Sequence, residues 1–241
     1  MDHEIVKMRE DTWRVEDEGV RFFVLAGREK AILIDSGRET PEARRIAESL
    51  TRKPLMMLCT HGDRDHISGN GGFETVMMHP GEFAFYRHNS RHANSLVPVR
   101  EGDVIGLGDR DLEIIELPGH TPGSIAVLDR RERVLISGDP IQRGGRIFMW
   151  GAQRDMEAYL YSLRCVEKRV DDFDEIWPSH GEIPIAPGMI RDLAEKTEAV
   201  MAGKLPGRDE ELHGNLITAY DFGDNVLLVD RNEGEKYRTR R

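Results

Sequence analysis

Hydrophobic and polar positions alternate along the first forty residues. Ile5-Val6-Lys7-Met8, Thr12-Trp13-Arg14-Val15 and Val20-Arg21-Phe22-Phe23-Val24-Leu25 are short runs bounded by polar or turn residues. They predict an antiparallel meander. Ala31-Ile32-Leu33-Ile34 and Leu55-Met56-Met57-Leu58-Cys59 are apolar throughout, as expected of strands covered on both faces. Between them the period turns helical: Ile46, Ala47 and Leu50 share a stripe. Thr40 is placed to cap that helix and Pro41 suits its first position. Further strands are predicted at 75–78, 103–105, 112–117, 124–128, 133–136 and 175–177, and helices from 156 to 170 and from 187 to 202. Residues 82–98 read as helix then loop, and 216–221 with 226–229 as a hairpin-like pair.

No repeat, low-complexity tract or linker interrupts this pattern, so 1–230 reads as a single domain. The charged segment 231–241 reads as a frayed tail. Strands with interspersed helices indicate an α/β protein, with sheets packed together and helices outside.

Composition narrows the function. The 241 residues carry 34 Lys+Arg against 44 Asp+Glu, a net charge of −10. A general nucleic-acid binder needs the opposite balance to displace counterions from phosphate. No apolar run is long enough for a membrane span. The start, Met1-Asp2-His3-Glu4, lacks the apolar segment of a secretory leader. Two cysteines, Cys59 and Cys165, make no disulfide framework. The expectation is a cytoplasmic protein, with a homodimer as the default assembly.

The chemistry concentrates behind the apolar strands. His61, Asp63, Asp65 and His66 lie within six residues of one another. His120 follows a Pro-Gly, Asp139 a Ser-Gly and His180 a Pro-Ser. Imidazole and carboxylate without thiolate suit zinc, iron or manganese. Seven such groups exceed the needs of one tetrahedral ion, which points to two divalent metal ions sharing a carboxylate. A close pair of ions would hold a hydroxide at neutral pH.

The run Thr60-His61-Gly62-Asp63-Arg64-Asp65-His66 resembles the His-x-His-x-Asp-His signature of the metallo-β-lactamase-fold hydrolases. Pro118-Gly119-His120-Thr121-Pro122-Gly123-Ser124, Ser137-Gly138-Asp139 and Ser179-His180-Gly181 resemble its later motifs, in order, and Asp35-Ser36-Gly37 resembles its early aspartate turn. Four ordered motifs, each behind a strand, form a specific signal. The resemblance spans residues 3 to 230 and implies a four-layer αββα sandwich with a two-metal site at one edge. It implies His61, His120 and Asp139 on one ion and Asp65, His66 and His180 on the other, with Asp139 bridging. Asp65 would also orient the hydroxide and relay a proton to the leaving group. The hydroxide would attack a carbonyl. Zinc is the first expectation. The glyoxalase II and lactonase branches make a small-molecule substrate, a thioester or a lactone, the expected partner.

Asp63 departs from that pattern, standing where the family usually has a second histidine. A carboxylate there tilts the site toward iron or manganese, or falls short of the metal. Two other readings therefore stay open. One is a mononuclear-iron oxidoreductase of the persulfide dioxygenase type, using His61, His120 and Asp139. The other is a metal-binding module without turnover. Asp35 reads as a buried acceptor that orients a ligand histidine. Phe148-Met149-Trp150 could wall a substrate pocket, and packing into the core is at least as good an account. His3, His79, His88, His92 and His213 read as ordinary.

Overall fold

The computed structural model describes residues 3–239. Met1 and Asp2 of the acidic start, and Arg240 and Arg241 of the tail, lie outside the described residues.

The first sheet has seven strands in sequence order: β1 (Glu4–Arg9), β2 (Thr12–Asp17), β3 (Val20–Ala26), β4 (Ala31–Ile34), β5 (Leu55–Leu58), β6 (Thr75–Met78) and β7 (Ser95–Pro98). The first four strands form the expected antiparallel meander, and β4 to β7 run parallel. Three helices fall in the crossovers: α1 (Ala43–Leu50), the single turn α2 (Arg64–Ile67) and α3 (Phe83–Asn89). The second sheet orders β13 (Glu175–Pro178), β11 (Val134–Gly138), β10 (Ile125–Asp129), β9 (Asp111–Glu116) and β8 (Val104–Gly106). Here β9 and β11 are each antiparallel to β10, and β13 is parallel to β11. Thus β9, β11 and β13 all end at one edge of the sheet.

Strand period assigns the faces. Successive side chains of a strand point to opposite sides. Phe23, Leu25, Ile32 and Ile34 pack with Ile114, Ile125, Val127, Ile136 and Trp177 between the two sheets. Their neighbours Phe22, Val24 and Leu33 pack outward with Ala43 and Ala47 of α1 and Tyr86 of α3. The opposite face of the second sheet, through Ile115, Ala126, Leu128 and Leu135, is covered by α4 (Met156–Glu167) and α5 (Met189–Met201). Each fully buried aliphatic or aromatic side chain contributes about 1.5–3 kcal/mol. Double burial explains the unbroken apolar runs, and the result is the αββα sandwich.

Several expectations need correction. Residues 95–98 form the edge strand β7, not a loop, because Leu96 and Val97 pair with Val76 and Met77 of β6. A third sheet was not foreseen. It orders β12 (Arg146–Met149), β16 (Val226–Asp230), β15 (Asn215–Asp221) and β14 (Gly207–Leu212). The hairpin-like pair is its β15 and β16. Its strand β14, Gly-Arg-Asp-Glu-Glu-Leu, is too polar to announce itself. Thr40 does not cap α1; its hydroxyl donates to Asp17 Oδ2 at 2.6 Å. The segment read as a frayed tail carries α6 (Arg231–Arg238). One face of α6 buries Gly234 and Tyr237, and its charges pair with one another and with Asp209.

Candidate metal centre

All seven predicted groups converge at one edge of the sandwich. They stand behind the C-terminal ends of β5, β9, β11 and β13. They form two clusters: His61, Asp63, His120 and Asp139, and Asp65, His66 and His180. Within each cluster the candidate donor atoms lie within 4.8 Å of one another. Asp139 faces both. Its Oδ1 is 3.2 Å from His66 Nε2 and 3.3 Å from His180 Nε2. Its Oδ2 is 3.5 Å from His120 Nε2 and 3.9 Å from His61 Nε2.

Each of the four imidazoles is held by its other nitrogen. Thr60 Oγ1 has a single proton and donates it to Asp35 Oδ2 at 2.7 Å. The contact of 3.0 Å between Thr60 Oγ1 and His61 Nδ1 is then a bond donated by the ring. His66 Nδ1 donates to Asp35 Oδ2 at 2.9 Å, His120 Nδ1 to the Phe148 carbonyl at 2.9 Å, and His180 Nδ1 to the Gly19 carbonyl at 2.7 Å. A ring whose Nδ1 donates turns an Nε2 lone pair to the centre, the arrangement that metal-binding histidines use. Asp35 does this from left-handed backbone, φ +62°, which aspartate tolerates better than most residues. Its Oδ1 also accepts from Thr60 N at 2.7 Å.

Buried polar atoms without partners test whether these side chains suit a cation. His61 Nε2, His66 Nε2 and Asp139 Oδ1 have no hydrogen bond among the described residues. Orphans of this kind are costly, and these three belong to the two clusters, His61 to the first, His66 to the second and Asp139 between them. Imidazole nitrogen and carboxylate oxygen are both donors that a divalent ion accepts.

The electrostatics keep both carboxylates of the first cluster anionic. Burial would raise the Asp139 carboxyl, but His180 and His66 outweigh it and hold it well below the usual carboxylate range. Burial would likewise raise Asp63, yet the close approach of the His120 and His61 rings holds it well below that range. Burial lowers His66, but the carboxylates of Asp139, Asp65 and Asp35 push it well above the ordinary imidazole value. His120 is lowered, first by burial and then by Arg154.

The departing residue, Asp63, lies inside the first cluster. Its Oδ2 is 3.3 Å from His61 Nε2 and 3.2 Å from His120 Nε2. Asp65 sits at the rim of the second, with Oδ2 3.6 Å from His180 Nε2 and 3.3 Å from Arg38 Nη2. Phe148 and Trp150 pack against Ile217, Ala219 and Leu228 of the third sheet, which is the core account of those aromatics. His79 braces a turn, its Nδ1 accepting from Gly81 N.

Three residues around the centre escaped the sequence reading. Glu82 is fully buried and accepts from Gly62 N at 2.7 Å and Gly123 N at 2.8 Å, which ties the two motif loops together. Arg154 donates to Asp63 Oδ2 at 2.7 Å. Arg21 holds the His180 loop from across the sandwich. It donates through Nη1 to the Pro178 carbonyl at 3.1 Å and through Nη2 to the Gly181 carbonyl at 2.7 Å. A lone charge has no local signature of burial, whether in a polar stretch like Glu82 and Arg154 or in an apolar strand like Arg21, so only contact across the fold reveals these roles.

The metallo-beta-lactamase from Pontibacter korlensis superposes with a TM-score of 0.70 at 17% identity, covering 82% of this chain and 99% of that one. The acyl-coenzyme A thioesterase MBLAC2 of Gallus gallus is 29% identical over 197 residues, 66% of this chain and 71% of its own. A hydroxyacylglutathione hydrolase of Gloeobacter violaceus is 31% identical over 168 residues, 65% of this chain and 64% of its own. No helix among the described residues is long and apolar enough to cross a membrane. The sequence profile of the metallo-beta-lactamase superfamily matches residues 16–180, from β2 to the last cluster histidine, and the chain belongs to that superfamily.

Proposed function

We propose that this metallohydrolase cleaves a small thioester at a centre of two divalent ions, zinc in the first place. The observation that carries the reading is the common orientation of the four imidazoles, each tethered through Nδ1 with Nε2 turned to the carboxylates. His61, Asp63, His120 and Asp139 would hold one ion, and Asp65, His66 and His180 the other, with Asp139 shared. Bound there, such ions supply Lewis acidity toward a carbonyl and a water acidified toward neutral pH.

The chain's own groups have distinct parts. Asp35, Thr60 and the Phe148 and Gly19 carbonyls fix the rings. Asp65, about a quarter exposed at the rim, takes the proton that the attacking water gives up and passes it to the leaving thiolate sulfur. The acidic balance of the chain suits a small-molecule substrate in the cytoplasm better than a nucleic acid. The relatives support the substrate class, since one is a thioesterase and the other a hydrolase of an acylglutathione. A mononuclear iron oxidoreductase would need only His61, His120 and Asp139. The tethers on His66 and His180 favour two ions.

The test is thiol release from acyl-coenzyme A and acylglutathione substrates, beside a lactone panel, with zinc-loaded and chelated protein. Metal-dependent thiol release that falls about 100-fold or more in Asp139→Ala supports the reading. Lactone opening without thiol release overturns the substrate class. One equivalent of iron with oxygen uptake overturns hydrolysis.

A further inference from the structure

Asp63 adds a second carboxylate to the first cluster, beside Asp139. Aspartate has several χ1 wells, and a partly exposed carboxylate is free to leave a cluster. One cation opposes that. Arg154 Nη2 donates to Asp63 Oδ2, the same oxygen that faces His61 Nε2 and His120 Nε2. Its Nη1 donates to the carbonyl of His120. The arginine side chain is only 10% exposed, and its Nε has no hydrogen bond among the described residues.

The backbone beneath Arg154 is fixed to the loop it grips. Asp155 N donates to the Gly119 carbonyl at 2.9 Å. Asp155 Oδ1 caps α4, accepting from Glu157 N and Ala158 N at 2.9 Å each. Gly119 lies so close to α4 that a Cβ there would stand 2.4 Å from Tyr159 Cα, at a φ of +132°. The His120 loop is therefore held at both ends of this arginine, by Nη1 on the His120 carbonyl and by the adjoining backbone at Asp155 on the Gly119 carbonyl.

We propose that Arg154 is the positioning residue of the first cluster, holding the Asp63 carboxylate as an anionic donor between His61 and His120. The proposal rests on the metal-centre reading above. Two effects compete, because a guanidinium also repels a bound cation. The hold prevails, since a rigid planar fork on one carboxylate and one carbonyl selects a single geometry, and the anionic carboxylate would offset the charge of the guanidinium toward an ion held by His61 and His120.

The experiment is cobalt(II) titration of chelated full-length protein, followed by visible absorption. Wild type is expected to bind two equivalents. In Arg154→Met one equivalent weakens by about 10-fold or more, with a changed visible band, and the other is unmoved. Arg154→Lys keeps the charge without the fork and recovers part of the loss. In an Asp63→Ala background, Arg154→Met adds nothing. Unchanged or tighter binding in Arg154→Met overturns the proposal alone, as does an equal loss in the Asp63→Ala background. A wild type that takes up no cobalt overturns the metal-centre reading and this proposal with it. Circular dichroism checks the fold of each variant. If Arg154→Met does not fold, Arg154→Lys decides: full wild-type affinity overturns the proposal, and weakening of one equivalent supports it.

Discussion

The Asp35 carboxylate holds His66 by Nδ1 at 2.9 Å and, through the same oxygen, the Thr60 hydroxyl that steadies His61. One buried oxygen thus orients an imidazole in each cluster. Asp35→Ala orphans the Thr60 amide, the Thr60 hydroxyl and the His66 ring nitrogen together. The expected loss is about 3 kcal/mol or more of stability, read by denaturant unfolding of chelated protein. Metal affinity is expected to fall about 10- to 100-fold, read by competition with a chromophoric chelator.

Glu82 makes a second, metal-independent prediction. Its carboxylate is an acceptor for two buried amides, Gly62 N and Gly123 N. Glu82→Ala leaves both unpaired and is expected to cost about 2–5 kcal/mol. Glu82→Gln offers an acceptor to one amide and a donor to the other, so it recovers part of that loss. Unfolding of the chelated proteins measures both; a loss below about 1 kcal/mol in Glu82→Ala would refute the bridging role.

Removal of metal should itself destabilise. Ligands that bind only the folded chain add stability by mass action, about 2.7 kcal/mol at a hundredfold excess over the dissociation constant. Here the gain comes with pairing of His61 Nε2, His66 Nε2 and Asp139 Oδ1. Treatment with chelator is expected to lower the melting temperature by several degrees, and added zinc to restore it. Coincident melting curves with and without chelator would count against a resident ion.

A pH effect is expected away from the centre. Burial would raise Glu113, but Arg169 and Arg130 outweigh it and hold its carboxyl below the ordinary value of 4.5. A depressed folded-state value means stability that is present above the unfolded value and lost as pH falls through the folded one. Wild type should therefore lose stability below about pH 4.5 more steeply than Glu113→Gln. Urea unfolding between pH 3 and 6 reads the difference, and parallel profiles would refute it.

Much of this was legible in the residues, for physical reasons. Strands buried on both faces must be apolar throughout, so Ala31–Ile34 and Leu55–Leu58 stand out. Polar groups placed directly behind such strands, as His61 and Asp139 are, have a fixed edge to occupy. The strand β14 stayed hidden because its charged residues face solvent and its pairing with β15 is through backbone. α6 stayed hidden because one tyrosine and one glycine carry its burial. Arg154 and Glu82 were illegible because their partners lie 91 and 20 residues away in sequence.

The His180 loop is gripped from the opposite sheet. Its backbone is held by Arg21 of β3, and the ring itself by Gly19 in the β2–β3 turn, 161 residues earlier. Any shear of one sheet over the other therefore translates into displacement of an imidazole at the centre. The N-terminal hairpin is in effect a handle on the centre. An insertion at the Glu18-Gly19 turn would detune the second cluster while leaving every candidate ligand in place.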